Sequence, residues 1–240
     1  MTFSKKNENG DYEGMDVHLA LCVAVAIYGK ENFKDKLELV ETTNSNRFEL
    51  LKSGKIDLLC RNTTWTHKRD QNGLSFCGIN FYDGQGFLMH KENEVKTTLA
   101  ETLSGKRIAV SKDTTTYDNL LNFIQENKLN VTVVPGDTFQ SSVNDYVNKR
   151  ADVLTSDRSA LAGIRIDSGK QDDHILHPEV ISKEPLGPVV KEGEETLADI
   201  VRWVLNSHIE CSENNIDSKN IGTENLSSSN KSYLDRVYSA

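Results

Sequence analysis

Two stretches of the chain repeat one local pattern. Residues 50–59 read LLKSGKIDLL, and residues 146–154 read YVNKRADVL. In each, a helix end passes through a basic turn into a short strand, and a polar cluster follows at residues 61–64 and 155–157. Open α/β sheets place ligand sites at the carboxyl ends of strands, so the matched clusters favour two α/β lobes. Chance similarity between two short α/β units is the alternative.

Helical and strand patterns alternate along the rest of the chain, which is typical of α/β proteins. The predicted helices are residues 16–28, 46–53, 116–127, 139–149 and 195–207. The predicted strands are residues 36–41, 56–60, 76–81, 86–90, 107–110, 131–134 and 151–155. Residues 212–232 are rich in Ser, Asn and Glu, and this composition predicts a loosely packed or disordered tail.

The chain is acidic, because its 240 residues hold 28 Lys and Arg against 36 Asp and Glu, a net charge of −8. This balance argues against binding to nucleic acids or anionic membranes, which need a basic face. The longest apolar run, residues 19–28, is shorter than the roughly 18–20 residues of a membrane-spanning helix. The first seven residues are polar, which indicates no signal peptide and by itself predicts a cytosolic protein.

The spacing of cysteines and histidines leads us to expect no metal and no cofactor. Cys22, Cys60, Cys77 and Cys211 form no Cys-x-x-Cys pair and are interpreted as small core residues. The six histidines show no His-Glu-x-x-His spacing, and the chain has no Gly-x-Ser-x-Gly elbow.

Residues 61–70 form the densest polar cluster. The hydroxyl of Thr64 offers a donor to an anion, and Arg69 supplies a planar fork that suits a carboxylate. From the spacing alone, a polar loop with capping threonines and a surface arginine is an equal alternative.

A second polar cluster, residues 111–116, joins a strand to a helix, where backbone N–H groups point at an anion. Thr115 or Thr116 as a mere N-cap is the alternative. Asp157, after the strand that ends near Leu154, is placed to accept from an ammonium group or to cap a helix beginning near Arg158. Together, the clusters indicate a small zwitterion whose carboxylate binds Arg69, Thr64 and Thr115 and whose amine binds Asp157.

Five motifs of the sequence resemble those of the periplasmic general L-amino-acid-binding proteins of ABC importers, within the polar-amino-acid solute-binding class. The resemblance covers roughly residues 3–206. Its motifs are GMDV (14–17), RNTTWT (61–66) with Arg69-Asp70, NFYDGQGF (80–87), ISKEPLGPVV (181–190) and DIVRW (199–203).

This resemblance implies a type II periplasmic-binding-protein-like α/β fold, with two lobes joined by two hinge strands near residues 82–85 and 184–188. Lobe one comprises residues 1–84, lobe two residues 85–185, and residues 186–240 return to lobe one and form the tail. The implied partners are a free L-amino acid and a membrane permease. The implied location is the periplasm, and we expect a monomer that is not an enzyme.

The resemblance also implies the binding residues. Arg69 clamps the ligand carboxylate, Thr64 and the Thr114-Thr115 turn add donors to the same group, and Asp157 takes the α-amine. Asn62 and Asp83 line the cleft in related proteins and are carried over here.

The two ends of the chain depart from the family pattern. Members carry a signal peptide and a first strand before the residues that match Phe3, and they continue well past Asn206, so we expect truncation at both ends. One alternative is therefore a truncated remnant that does not bind. The other is a dehydratase-type enzyme on the same fold, for which Asp157, Asp83 and His67 are the candidate acids.

Overall fold

The computed structural model describes residues 3–93, 95–169, 171–217, 219–221 and 226–232. Its helices are α1 Met15–Tyr28, α2 Arg47–Lys52, α3 His67–Asp70, α4 Leu99–Leu103, α5 Thr115–Glu126, α6 Phe139–Val147, α7 Arg158–Asp167 and α8 Glu195–Glu213. Its strands are β1 Lys5–Lys6, β2 Tyr12–Glu13, β3 Leu58–Leu59, β4 Leu74–Phe76, β5 Phe81–Asp83, β6 Gln85–His90, β7 Arg107–Ser111, β8 Thr132–Gly136, β9 Val153–Asp157, β10 His174–Leu176, β11 Glu184–Leu186 and β12 Val189–Lys191.

A five-stranded sheet in the order β10-β6-β9-β7-β8 forms the centre of the second lobe. Strand β7 runs parallel to β8 and β9, whereas β6 is antiparallel to β9 and β10. Phe87 and Met89 belong to one core cluster and Leu88 to another, so both faces of the sheet are covered. Coverage on both faces explains why β6 and β7 are almost continuously apolar rather than alternating.

A three-stranded sheet in the order β3-β12-β4 lies in the first lobe, where β12 is antiparallel to both neighbours. Val190 packs with Val23 of α1 and Val201 of α8, while Val189 joins Leu51 and Leu59 in a second cluster. Successive residues of β12 therefore serve the two faces of this sheet, as the period of two in a strand requires.

The antiparallel pair β5–β11 connects the two lobes, with Asp83 opposite Glu184 and Phe81 opposite Leu186. Strand β5 leads into β6, and β11 leads towards β12. Gly187 follows β11, and a β-carbon there would overlap the carbonyl oxygen of Gly78, so only glycine allows this close backbone approach. The pair agrees with the two predicted hinge segments. The lobe limits 1–84, 85–185 and 186–240 remain a prediction.

The prediction of two α/β lobes is confirmed, and most periodic segments form the predicted element within a few residues. Helix α8 extends to Glu213, six residues beyond the predicted end. The predicted strand at residues 76–81 is wrong, because the chain leaves β4 at Phe76 and begins β5 at Phe81. Between them, Cys77 and Asn80 donate backbone hydrogen bonds to the carbonyls of Pro188 and Leu186.

The predicted strand at residues 36–41 is also wrong. The backbone groups of residues 37–42 make no hydrogen bond within the part of the chain that the structure describes. A groove of about 770 Å³ borders this segment, β3 and α1. Alternating Leu37 and Leu39 suit a strand, but a strand also needs a neighbouring backbone to pair with.

The predicted loose tail is wrong at two positions, because Ile216 and Leu226 are buried. Ser218, residues 222–225 and residues beyond 232 lie outside the described residues. None of the described helices has the length and apolarity needed to span a membrane.

Candidate functional site

A cleft of about 360 Å³ lies between the two lobes. Its walls carry six of the seven binding residues expected from the sequence. The first lobe supplies Asn62, Thr64 and Arg69, and the second supplies Thr114, Thr115 and Asp157.

The loop that carries Asn62 and Thr64 is held against the hinge. Thr64 forms an isolated bridge with Leu186, and the backbone N–H of Trp65 donates to the carbonyl of Pro185 at 2.7 Å. The N–H of Gly187 donates to the carbonyl of Thr63 at 3.0 Å. These contacts with β11 therefore fix the position of this loop relative to the second lobe.

Arg69 is positioned by a short helix. Thr66 caps α3 by accepting from the backbone N–H of Arg69, and the Arg69 guanidinium donates to the carbonyl of Thr64 at 2.8 Å. The guanidinium carbon also lies 5.2 Å from the ring centroid of Phe48. Arg69 lines the cleft, and among the described residues no carboxylate forms an ion pair with it, so its remaining N–H donors are available to an anion. Burial lowers the pKa of Arg69, and the charges of Glu184 and Asp157 oppose this.

The start of α5 faces Arg69 from the second lobe. Thr114 is the N-cap, since its hydroxyl accepts from the N–H of Tyr117 and donates to the carbonyl of Ser111. The backbone N–H groups of Thr115 and Thr116 have no acceptor in the described chain. The Thr115 hydroxyl lies 3.3 Å from that of Thr64 and donates to Glu184 at 3.0 Å. Two free N–H groups at a helix N-terminus favour an anion here.

Asp157 lies at the end of β9 and is only 6% exposed. It accepts from the Asn62 side chain at 3.1 Å across the cleft. Burial raises the pKa of Asp157 to about 7, with Asp83 and Glu184 adding to the rise, while the Asn62 hydrogen bond and Arg69 oppose it. A cationic group entering the cleft would stabilise the ionised carboxylate that this environment disfavours.

Asp157 precedes α7 but makes no capping hydrogen bond to it. Asp83 performs that role, because its carboxylate accepts from both the backbone N–H and the hydroxyl of Ser159. Asp83 is consequently turned towards α7 and is not among the residues that line the cleft. Because Asp83 caps α7, the Asp157 carboxylate is not needed as a cap and can face the cleft.

Asp16 is buried in the first lobe and holds the loop that carries Asn62 in place. It is 1% exposed, accepts from the backbone N–H of Asn62 at 2.5 Å and accepts from the Asn80 side chain at 2.8 Å. Burial raises the pKa of Asp16, and both hydrogen bonds oppose the rise. Because Asn62 has a positive φ of 24°, Asp16 also holds an unfavourable backbone conformation in place.

The Asp16→Ala variant should lower the free energy of unfolding by about 2–4 kcal/mol, because two donors in the interior lose their acceptor at about 1–3 kcal/mol each. Urea denaturation followed by circular dichroism measures this. Asp57→Ala, at an exposed position on the same lobe, serves as the control and should change stability by less than about 0.5 kcal/mol. Equal stability of the two variants would contradict the role given to Asp16.

Two arginines of the cleft, Arg47 and Arg61, were given no binding role by the sequence reasoning. Arg47 is 4% exposed and its guanidinium carbon lies 4.7 Å from the ring centroid of Phe48. Arg61 donates to the Asn44 side chain at 3.0 Å. Arg47 Nε and Arg61 Nη1 are buried and have no hydrogen-bond partner among the described residues. Arg47 shares one face of α2 with fully buried Leu51. An arginine at this spacing from an apolar residue was the sequence signal that could have indicated a buried cation.

The first-lobe wall of the cleft carries several positive charges. Burial, together with the charges of the neighbouring Arg69 and Arg61, lowers the pKa of Arg47 to about 9. Within the described chain none of these three arginines forms an ion pair. His67 is exposed, bonds to Gln71 and does not line the cleft. The cleft lining therefore holds two aspartates, Asp157 and Asp167, against Lys5 and the three arginines, so positive charge predominates and the cleft attracts anionic groups.

Comparison with known proteins identifies the family of the chain. The family model for bacterial extracellular solute-binding proteins, family 3, matches residues 1–216. The chain is 38% identical over 220 residues to the general L-amino acid-binding periplasmic protein AapJ of Rhizobium johnstonii, covering 91% of this chain and 63% of AapJ. It is 37% identical over 220 residues to the glutamate/glutamine/aspartate/asparagine-binding protein BztA of Rhodobacter capsulatus, covering 91% of this chain and 64% of BztA. The chain thus spans less than two thirds of the length of these relatives.

A solved structure extends the likeness to three dimensions. The ABC transporter periplasmic binding protein of Brucella ovis, with glutathione bound, is 36% identical and superposes with a TM-score of 0.85. The match covers 93% of this chain and 70% of that one. The fold is accordingly the type II two-lobe α/β fold of periplasmic binding proteins. By sequence and by structure, the chain belongs to the bacterial extracellular solute-binding proteins, family 3.

Proposed function

We propose that this protein is the solute-binding component of an amino-acid ABC importer and closes its two lobes around a free L-amino acid. One observation carries the proposal: Arg69 and Asp157, of opposite charge, face one cleft from different lobes without forming an ion pair with each other or with another described residue. Such a pair of separated charges matches the carboxylate and ammonium groups of an α-amino acid. The names of the relatives support the same class of ligand.

In the proposed complex, the Arg69 guanidinium, the Thr64 hydroxyl and the free N–H groups of Thr115 and Thr116 bind the carboxylate. Asp157 accepts from the ammonium group, which takes the place of the Asn62 amide. Asn62 then remains free to contact the ligand. Charge-assisted hydrogen bonds contribute about 1.5–3 kcal/mol each, so three or four are enough for a micromolar complex after ordering costs.

Closure follows from the distribution of these groups over two lobes. Only a closed cleft lets one ligand contact Arg69 and Asp157 together, so the ligand binds the closed form more tightly and shifts the population towards it. The β5–β11 pair, which connects the lobes, is the proposed hinge. The proposed partner is the membrane permease of the importer, and the proposed state is a periplasmic monomer without nucleic-acid partners.

Isothermal titration calorimetry against the standard L-amino acids tests the proposal. We expect micromolar binding of at least one of them, with each bound ligand raising the melting temperature. If no amino acid gives heat or a thermal shift, the protein is a remnant that does not bind.

The two further cations lead us to infer a preference for ligands with a second anionic group. Arg47 and Arg61 line the cleft, and each has a buried N–H group with no partner among the described residues. Glutamate and aspartate present a second carboxylate, and so does the γ-glutamyl peptide glutathione, which is bound in the Brucella ovis structure. Separate titrations with glutamate and glutathione distinguish a free amino acid from a peptide with the same charged groups.

Glutamate should bind at least about 10-fold more tightly than glutamine, because the additional charge-assisted hydrogen bond contributes about 1.5–3 kcal/mol. Arg47→Met, which keeps much of the apolar stem, should reduce this ratio to near one. Arg202→Met, on the exposed face of α8, is the matched control and should retain the ratio. Calorimetry measures both ratios, and an unchanged preference in Arg47→Met would remove Arg47 from ligand recognition.

The raised pKa of Asp157 favours one second candidate, the dehydratase-type enzyme. A carboxyl group with a pKa of about 7 is suited to general acid catalysis near neutral pH. Incubation of the protein with prephenate or arogenate, followed by chromatography, tests this. Product that forms with the wild type and not with Asp157→Asn would favour the enzyme, and no product would leave the transport proposal.

A further inference from the structure

Three side chains with metal-binding atoms meet on the first lobe, away from the cleft. His18 and Cys22 lie one turn apart on α1, and His208 lies on α8, which packs against α1. None of the three lines the cleft. Cys22 and His208 are half-buried and His18 is exposed, so the group is reachable from solvent.

The distances within this group match those of a metal site. Cys22 Sγ lies 3.6 Å from His18 Nε2, and one ligand atom from each of the three side chains lies within 4.8 Å of the others. In a tetrahedral zinc site, bonds of about 2.3 Å to sulfur and about 2.0–2.1 Å to nitrogen put these two ligand atoms about 3.6 Å apart. The His18–Cys22 pair already has that separation, and the ligand atom of His208 lies within 4.8 Å of both.

We propose that His18, Cys22 and His208 bind a zinc ion that links α1 to α8. Two imidazoles and one thiolate suit Zn²⁺, and a water molecule would take the fourth position. The ion would join two helices whose other contacts are apolar, such as Val23 against Val201. The sequence conceals this site, because 185 residues separate His208 from Cys22 and only the packing of α1 on α8 brings them together.

Zinc displaces protons from the groups that it binds, so the site needs two neutral imidazoles and the ionised thiolate of Cys22.

Cobalt serves as the spectroscopic probe for the site. Tag-free protein, reduced and stripped with a chelator, is titrated with Co²⁺ and then with Zn²⁺. We expect a thiolate-to-cobalt charge-transfer band in the near ultraviolet that saturates at one equivalent and disappears when Zn²⁺ displaces Co²⁺. Absence of this band, or weak binding without saturation, would overturn the proposal.

Variants assign the band to the cluster. Cys22→Ser should abolish it, and His208→Ala should weaken Zn²⁺ binding by more than about 100-fold, since even partners that only orient a ligand are worth 10–100-fold. Cys211→Ser is the matched control, because Cys211 is a half-buried cysteine on α8 outside the cluster, and it should keep the band. A band that survives in Cys22→Ser or vanishes in Cys211→Ser would overturn the assignment.

Circular dichroism shows whether each variant is folded. If Cys22→Ser does not fold, the Zn²⁺ affinity of His208→Ala tests the proposal. Amino-acid affinity should be unchanged in the folded variants, because the cluster does not contribute to the cleft. The metal proposal and the transport proposal therefore fail independently.

Discussion

The Arg69→Ala variant is expected to bind L-amino acids at least about 100-fold more weakly than the wild type. The Arg69 guanidinium donates to the Thr64 carbonyl and lines the cleft together with the start of α5, so its loss removes the bidentate partner of the ligand carboxylate. Loss of a hydrogen-bonded charge partner costs about 2–5 kcal/mol. Calorimetry with the tightest-binding amino acid measures the effect.

The fold should survive this substitution. Arg69 makes one hydrogen bond to the Thr64 carbonyl, and its removal also relieves repulsion with Arg47. Arg69→Lys separates charge from geometry, because an ammonium keeps the charge without the planar fork, and it should recover only part of the affinity. Arg202→Ala, in an exposed ion pair with Asp199, is the control for loss of an arginine. Wild-type affinity in Arg69→Ala would exclude Arg69 as the carboxylate partner.

The Asp157→Asn variant is expected to lose affinity by about 100-fold at pH 8, since the amide carries no charge for the ligand ammonium. In the wild type, affinity for an amino acid with a neutral side chain should fall about 100-fold between pH 8 and pH 5. The reason is that binding requires the ionised carboxylate and the pKa of Asp157 in the free protein is about 7. Asp157→Asn should show no such pH dependence. Parallel pH profiles of the two proteins would contradict an ammonium contact at Asp157.

The same substitution should stabilise the protein without ligand. A carboxyl whose pKa is raised on folding, from 3.8 to about 7, favours the folded state while it is protonated. That contribution is complete below about pH 4 and is lost as the pH rises to about 7, at up to about 4 kcal/mol since one pKa unit is about 1.4 kcal/mol. Asp157→Asn avoids this loss, so its free energy of unfolding should exceed that of the wild type at pH 8.

Asp152, five residues earlier, provides the contrast. Its hydrogen bond and ion pair with Arg107 lower its pKa, so its contribution is present at neutral pH and is lost as the pH falls through the lowered value. Asp152→Asn should therefore destabilise the protein at pH 8, opposite in sign to Asp157→Asn. Urea denaturation at pH 4 and pH 8 checks both signs. Lower stability of Asp157→Asn at pH 8 would show that ionised Asp157 is satisfied within the free protein.

The sequence by itself determined the elements whose signals are local. Helices α1, α5 and α6 follow the local helical patterns of the sequence within a few residues, and β6, β7 and β9 follow from apolar runs. The Arg69 and Thr64 cluster was visible because its residues lie within ten positions of one another. Short-range periodicity and spacing can be read from the sequence, because neighbours along a helix or strand are also close in sequence.

Tertiary structure decided what depends on distant backbone or on distant charges. Residues 36–41 have the pattern of a strand but no partner to pair with, and hydrogen bonding to a neighbouring chain segment is not encoded in local alternation. The sequence left Asp157 equally suited to cap α7 or to bind an amine, and only the approach of Asp83 from the hinge assigns the cap. Burial of Arg47 and the meeting of Cys22 with His208 likewise arise only when separate elements pack, because desolvation and ligand geometry are properties of three-dimensional neighbours.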